Sequence, residues 1–126
     1  MLLDDIATYL EAQGLGTAEV SLFKIKMPDE PDSCIAVSQY GGITSILAHD
    51  GAEIKQPGIQ VRVRDKTAQL SLAKIEQAIA CLHPKANEQI GGTFFIYLRV
   101  NQPPIPLGVD QHNRFEWSVN FSVKIS

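Results

Sequence analysis

The chain has 126 residues, of which 44% are hydrophobic and 20% charged, and a net charge of −3. That size predicts one domain over residues 1–126, with enough core to fold without metal or disulfide staples. The acidic balance argues against a domain whose main work is gripping phosphate, which needs a basic face, and no apolar run approaches the ~20 residues that span a bilayer.

Residues 2 to 13 read as an amphipathic helix. Leu2, Leu3, Ile6, Tyr9 and Leu10 share one side; Asp4, Asp5, Thr8, Glu11 and Gln13 fill the other. Asp4 and Asp5 sit in the first turn, where the helix dipole favours negative charge, and Gly14 and Gly16 supply the stop. Met1 to Asp5 lacks the basic region and long apolar core of a signal peptide, so folding in a cytoplasm is expected. Cys34 and Cys81 fit that and read as small buried hydrophobes. Val20 to Met27 reads as a strand that pairs with Cys34 to Tyr40 as an antiparallel hairpin. Between them lies Pro28-Asp29-Glu30-Pro31-Asp32, either a solvated loop or a contact to a basic partner.

Gly41-Gly42 breaks the second strand, and Ile43, Ile46, Leu47, Ala48, Ala52 and Ile54 follow without clear period. Residues 41 to 56 therefore read as a loop, and loops beyond ~12–15 residues are uncommon in compact domains. Its apolar residues need burial, by the domain itself or by a neighbouring subunit.

Ile59, Val61 and Val63 then alternate with Gln60, Arg62 and Arg64, a half-buried strand whose arginines read as solvated edge charges. Asp65 or Thr67 can cap the helix that follows. Ala68, Leu72, Ile75, Ala78, Ile79 and Leu82 form its apolar stripe, and His83-Pro84 ends it. Lys85 to Gly92 reads as a polar connection. In Thr93 to Val100, Phe94, Ile96, Leu98 and Val100 take one face, Phe95 and Tyr97 the other, suiting a strand covered on both sides. Pro103, Pro104 and Pro106 cannot donate ladder hydrogen bonds and mark an edge or a crossing loop.

After the turn Asp110 to Asn113, Arg114 to Ile125 alternates without a fault. Phe115, Trp117, Val119, Phe121, Val123 and Ile125 take one face; the other is rich in serine and asparagine. Trp117 is expected to face the helices, with Trp117→Ala costing about 3–5 kcal/mol. The order α, β, β, β, α, β, (β), β predicts an α+β fold: a mixed, largely antiparallel sheet with two helices on one face.

The residues predict no enzyme, cofactor or metal site. His49, His83 and His112 lack zinc-site spacing, and Cys81 and His83, two apart on a helix, point in different directions. No Gly-x-Ser-x-Gly and no glycine-rich phosphate loop is present. The carboxylates cluster in loops and at helix starts rather than facing one another in an apolar pocket.

Three stretches carry a resemblance. The amphipathic helix opens the chain; Gln56-Pro57-Gly58-Ile59-Gln60-Val61-Arg62-Val63-Arg64 runs into a helix; Leu107-Gly108-Val109-Asp110-Gln111-His112-Asn113-Arg114 runs into a long strand bearing Asn120-Phe121. Together they resemble the tail terminator proteins of long-tailed bacteriophages, the group also called minor capsid or tail-completion proteins. His112-Asn113 departs from that pattern, where a more acidic or glycine-containing turn is expected.

The resemblance implies a small subunit forming a homo-oligomeric ring, usually of six, on the tail tube. The ring stops tube polymerisation and meets the head-completion or connector protein, and DNA passes through without specific binding. It implies a virion protein of the head–tail junction, assembled in the host cytoplasm, with no cofactor and no membrane partner. A ring needs a heterologous interface, two different patches per subunit. The candidates are the apolar residues Ile43, Ile46, Leu47 and Ile54, and the acidic Asp29, Glu30 and Asp32. The competing readings are a head-to-tail adaptor of the neck, a small carboxylate-dependent hydrolase and a monomeric binding module.

Overall fold

The structure, a computed structural model, describes residues 2–47 and 53–125, and the side chains of all these except 41–47 and 53. The elements are α1 (Leu2–Ala12), β1 (Leu22–Lys24), β2 (Cys34–Leu47), β3 (Glu53–Asp65), α2 (Ala68–Leu82), β4 (Lys85–Ile90), β5 (Thr93–Val100), β6 (Ile105–Val109) and β7 (Phe115–Ile125). Seven strands form one sheet in the order β1-β2-β3-β7-β5-β4, with β6 also paired to β7. Every pairing is antiparallel except β1 with β2. This is the expected α+β class.

Both helices lie on one face of the sheet. α1 buries Leu2, Leu3, Ile6, Ala7 and Leu10. α2 opens on Thr67, whose hydroxyl accepts the Leu70 amide at 3.1 Å. Asp65, the other candidate cap, is buried and accepts the Ser33 hydroxyl at 2.9 Å, with Lys74 Nζ 3.4 Å away. Ile75, Ala78 and Leu82 of α2 pack into the same core as Ile6 and Leu10 of α1, while Ala68 is exposed. The sheet supplies Ile35, Val37, Ile59, Val61, Val63, Val119, Phe121 and Val123, each strand contributing every second residue. Trp117 points to this side as expected, but is only partly buried.

Four segments depart from their sequence reading. β1 is three residues long and runs parallel to β2, not as a hairpin arm. Ile25 follows it at φ +73°, with the Lys26 amide donating to the Lys24 carbonyl across it at 2.8 Å. This tight turn sends residues 25–33 back to the start of β2.

Residues 41–47 and 53–56 are strand rather than loop. β2 and β3 pair out to Leu47 opposite Glu53, with register shifts between Tyr40 and Ile43 and between Ile43 and Ile46. Each shift displaces the alternation by which a strand is recognised, so no period is visible. Ala48, His49 and Ala52 lie outside the described residues.

Lys85 to Ile90 is β4, an edge strand, not a connection. Asn87 stands there at φ +51°, and beside it the pairing of β5 with β7 shifts between Phe95 and Tyr97. The irregularity brings Phe95 onto the core side with Leu98, so both are fully buried and Phe94 no longer shares Leu98's face. Finally, Arg64 is buried rather than solvated. β6 is an edge strand carrying Pro106, as the prolines implied.

Candidate assembly surfaces

Three surface features stand apart from the helix-covered core. The first is the loop 28–33, held over the end of the sheet by two arginines. Arg114 immediately precedes β7, and its side chain is only 6% exposed. Its Nη2 lies 2.9 Å from Asp29 Oδ1, its Nη1 bonds the Asp29 carbonyl and lies 3.3 Å from Asp32 Oδ1, and its Nε donates to Asp110 Oδ2 at 2.8 Å. Arg64 donates to the Pro31 carbonyl at 2.6 Å. A guanidinium offers five donors in a rigid plane, which suits fixing several acceptors at once.

Asp110 completes this clamp. Its Oδ1 accepts the amides of His112 and Arg114, both at 2.9 Å, the local bonding by which aspartate organises a turn. Burial pushes its carboxyl upward, but the two amides and the Arg114 guanidinium outweigh that and hold it below the usual carboxylate range. Asp29 and Asp32 are thus brought together around Arg114, while Glu30 between them is exposed. The sequence reading quotes Arg114 at the end of the Leu107–Arg114 stretch but gives it no role, although Asp110 four residues earlier is the signal that could have found one.

The second feature is the sheet face turned away from the helices. It is built of polar rungs across strands: Gln60 to Asn120 at 3.2 Å and Arg62 to Glu116 at 2.7 Å. Tyr40 lies across Gly58, its register partner, and its hydroxyl reaches the Phe121 carbonyl on β7 at 3.1 Å. A Cβ at position 58 would overlap the Tyr40 ring, so glycine is what lets the ring lie down. At the centre of this face Arg62 and Glu116 neutralise each other.

The third feature is exposed apolar surface. Ile105, Leu107 and Val109 on β6 are 40%, 49% and 52% exposed. By β1, at the opposite side of the sheet, Val20 and Ile25 are exposed, Ile25 by 73%. A β-branched residue rarely adopts the positive φ of Ile25. The sequence reading, which placed Val20 to Met27 in a strand, missed these two residues.

Of the apolar residues singled out in the sequence, Ile54 is half-buried on β3, opposite Ile46 of β2. Ile43, Ile46 and Leu47 have their backbone on β2; their side chains lie outside the described residues. β7 follows β3 only as far as Lys55 opposite Ile125. Beyond that rung, among the described residues, β2 and β3 continue as a two-stranded arm.

Among the described residues no His, Cys, Asp and Glu side chains group so as to hold a metal, and no helix is long and apolar enough to cross a membrane. Cys34 and Cys81 are free thiols, and burial pushes the Cys34 thiol up.

The family model described as bacteriophage tail terminator protein matches residues 9–126. No curated protein sequence matches the chain. Among solved structures, a chain from the virion of a native gene transfer agent particle is similar in fold, at a TM-score of 0.66 and 14% identity. The match covers 98% of this chain and 93% of that one. With a family match over nearly its whole length, the chain belongs to the bacteriophage tail terminator family and is a structural protein of the virion tail.

Proposed function

We propose that the protein caps the tail tube, ends its polymerisation and presents the joining surface for the head connector, acting as a homo-oligomeric ring of six. The observation that carries this reading is the terminator family match over residues 9–126. The surfaces support it. A ring repeats one contact between two different patches, and the exposed apolar residues of β6 and of the β1 side belong to different edges of the sheet. The end of the β2–β3 pair, with Ile43 at its base and Ile46, Leu47 and Ile54 on the arm, is proposed as one contact between subunits. The loop bearing Asp29, Glu30 and Asp32 is proposed as another. A net charge of −3 suits a passage that lets DNA through without holding it.

The test is tube growth in vitro. Purified tail-tube protein is polymerised with and without the chain, and tube lengths are read by electron microscopy. Capping predicts shorter tubes with extra density at one end, and capture of the connector protein by that end only. Tubes of unchanged length at molar excess of the chain overturn the capping reading. Binding to the portal side instead makes the protein a neck adaptor. By light scattering, Ile46→Asp with Leu47→Asp is expected to abolish the ring; an oligomer of unchanged mass removes the arm from the interface.

A further inference from the structure

We propose that a basic, aromatic patch formed by Tyr97, Arg99 and Lys124 receives the acidic loop around Glu30 of a second copy of this chain. The proposal rests on the ring reading above and names the two surfaces that meet.

Tyr97 on β5 is the register partner of Lys124 on β7, and Arg99 is that of Ser122. Alternation therefore sets Tyr97 and Arg99 on the open face. Two cations flank the ring: Arg99 Cζ lies 4.8 Å and Lys124 Nζ 5.5 Å from its centroid. Among the described residues neither cation forms an ion pair with a carboxylate. Elsewhere on the sheet's open side the arginines are engaged: Arg62 pairs with Glu116, Arg64 bonds loop carbonyls, and Arg114 meets Asp29, Asp32 and Asp110. The patch thus holds unspent positive charge around an apolar centre.

The opposite arrangement lies at the other end of β7. There Asp29, Glu30, Asp32 and Asp110 stand beside Arg114 and Arg64, with His112 Nε2 3.6 Å from Asp29, so four carboxylates face two permanent cations and the loop is net negative with His112 neutral. Glu30 is exposed, and among the described residues it makes no ion pair. Val20, exposed and apolar, lines the same shallow depression as Glu30, Pro31 and Asp32. Each surface is therefore a charge set beside an apolar group, and the signs are opposite.

Distance prevents the two from meeting within one chain. The loop is tied to Arg114 at the start of β7 and Lys124 sits near its end, roughly 30 Å away at about 3.4 Å per residue. Complementary patches at opposite ends of one subunit meet between copies, head to tail, which is the heterologous contact a ring is built from when its rotation closes. Arginine and lysine facing carboxylates across a partly dried surface form charge-assisted hydrogen bonds. Two cations on a chain of net charge −3 suit a carboxylate loop better than a DNA backbone, which rewards many simultaneous phosphate contacts.

The experiment is charge reversal and rescue. Solution mass is measured by light scattering over a concentration series, alone and with tail-tube protein, for the wild type, R99E/K124E, E30K and the triple variant. Circular dichroism confirms that each is folded. The proposal expects R99E/K124E and E30K each to weaken self-association about a hundredfold, as like charges meet, and the triple variant to recover it. Association unchanged in R99E/K124E overturns the proposal while leaving the ring reading intact. So does a loss in R99E/K124E with E30K unaffected. Unchanged association with weakened binding to a short DNA duplex makes the patch a nucleic-acid contact, again against the proposal. A wild type that neither associates nor caps tubes overturns the ring reading itself, and the proposal with it. Should R99E/K124E fail to fold, E30K and its rescue by Lys124→Glu alone decide the matter.

Discussion

Arg114 divides one guanidinium among Asp29, Asp32 and Asp110, and Asp110 in turn fixes the turn that presents Arg114. The pair is partly self-consistent: the carboxylate orders the backbone amides, and the ordered backbone aims the cation. Because the Asp110 carboxyl titrates lower in the folded chain than in an unfolded one, its contribution is present above about pH 4, the ordinary aspartate value. It is lost as pH falls through the lowered folded value. Asp110→Asn keeps an oxygen for the amides of His112 and Arg114 but removes the charge facing the guanidinium. The variant should therefore melt below the wild type at pH 7, and the gap should close in acid. Thermal unfolding followed from pH 7 to pH 2 checks this; a gap that stays constant would show that the charge of Asp110 is not what holds the turn.

β7 buries one face along its whole length, but unevenly. Its alternation assigns Trp117, Val119, Phe121 and Val123 to the core side, and all four are found there. Alternation does not report how well each position is covered. Phe121 is fully buried, whereas Trp117 is only partly so. Trp117→Ala should then cost about 2 kcal/mol, below the roughly 3–5 kcal/mol expected of a fully enclosed aromatic such as Phe121→Ala. Urea unfolding of both variants tests the order; an equal or larger loss at Trp117 would mean that the ring is sealed from water.

The same logic explains the elements that were not legible. The β2–β3 arm and the β4–β5 pair are strands whose alternation is broken by register shifts or by Asn87 at positive φ. β1 is too short to show a period, and its parallel pairing depends on the turn at Ile25. The helices were legible because α1 keeps an unbroken stripe and α2 nearly so, with Ser71 buried and Ala68 exposed. The acidic loop was legible as a feature, but its attachment to Arg114 spans over eighty residues of sequence, a distance no local pattern reports.

Assembly and stability are one quantity if only the folded chain enters the ring. Anything that binds the native state alone stabilises it by mass action, and each tenfold step in protein concentration is worth at most about 1.4 kcal/mol per subunit. For a chain of 126 residues that corresponds to roughly 3–6 °C in melting temperature. The proposed contact between the Arg99–Lys124 patch and the acidic loop adds a second dependence. The screening length falls from about 10 Å at 0.1 M salt to about 3 Å at 1 M, so salt should weaken an ionic contact far more than an apolar one. Melting scans at 1, 10 and 100 μM protein, each at low and high salt, separate the terms (concentrations of roughly these magnitudes bracket a micromolar association). A ring held partly by these charges predicts a melting temperature that climbs with concentration at low salt and climbs less at high salt. A climb indifferent to salt assigns the interface to the apolar arm and the edge residues of β6, with the charges as bystanders. A melting temperature flat across all six conditions means that folding gains nothing from neighbours, and that a ring, if formed, is assembled on the tube rather than in solution.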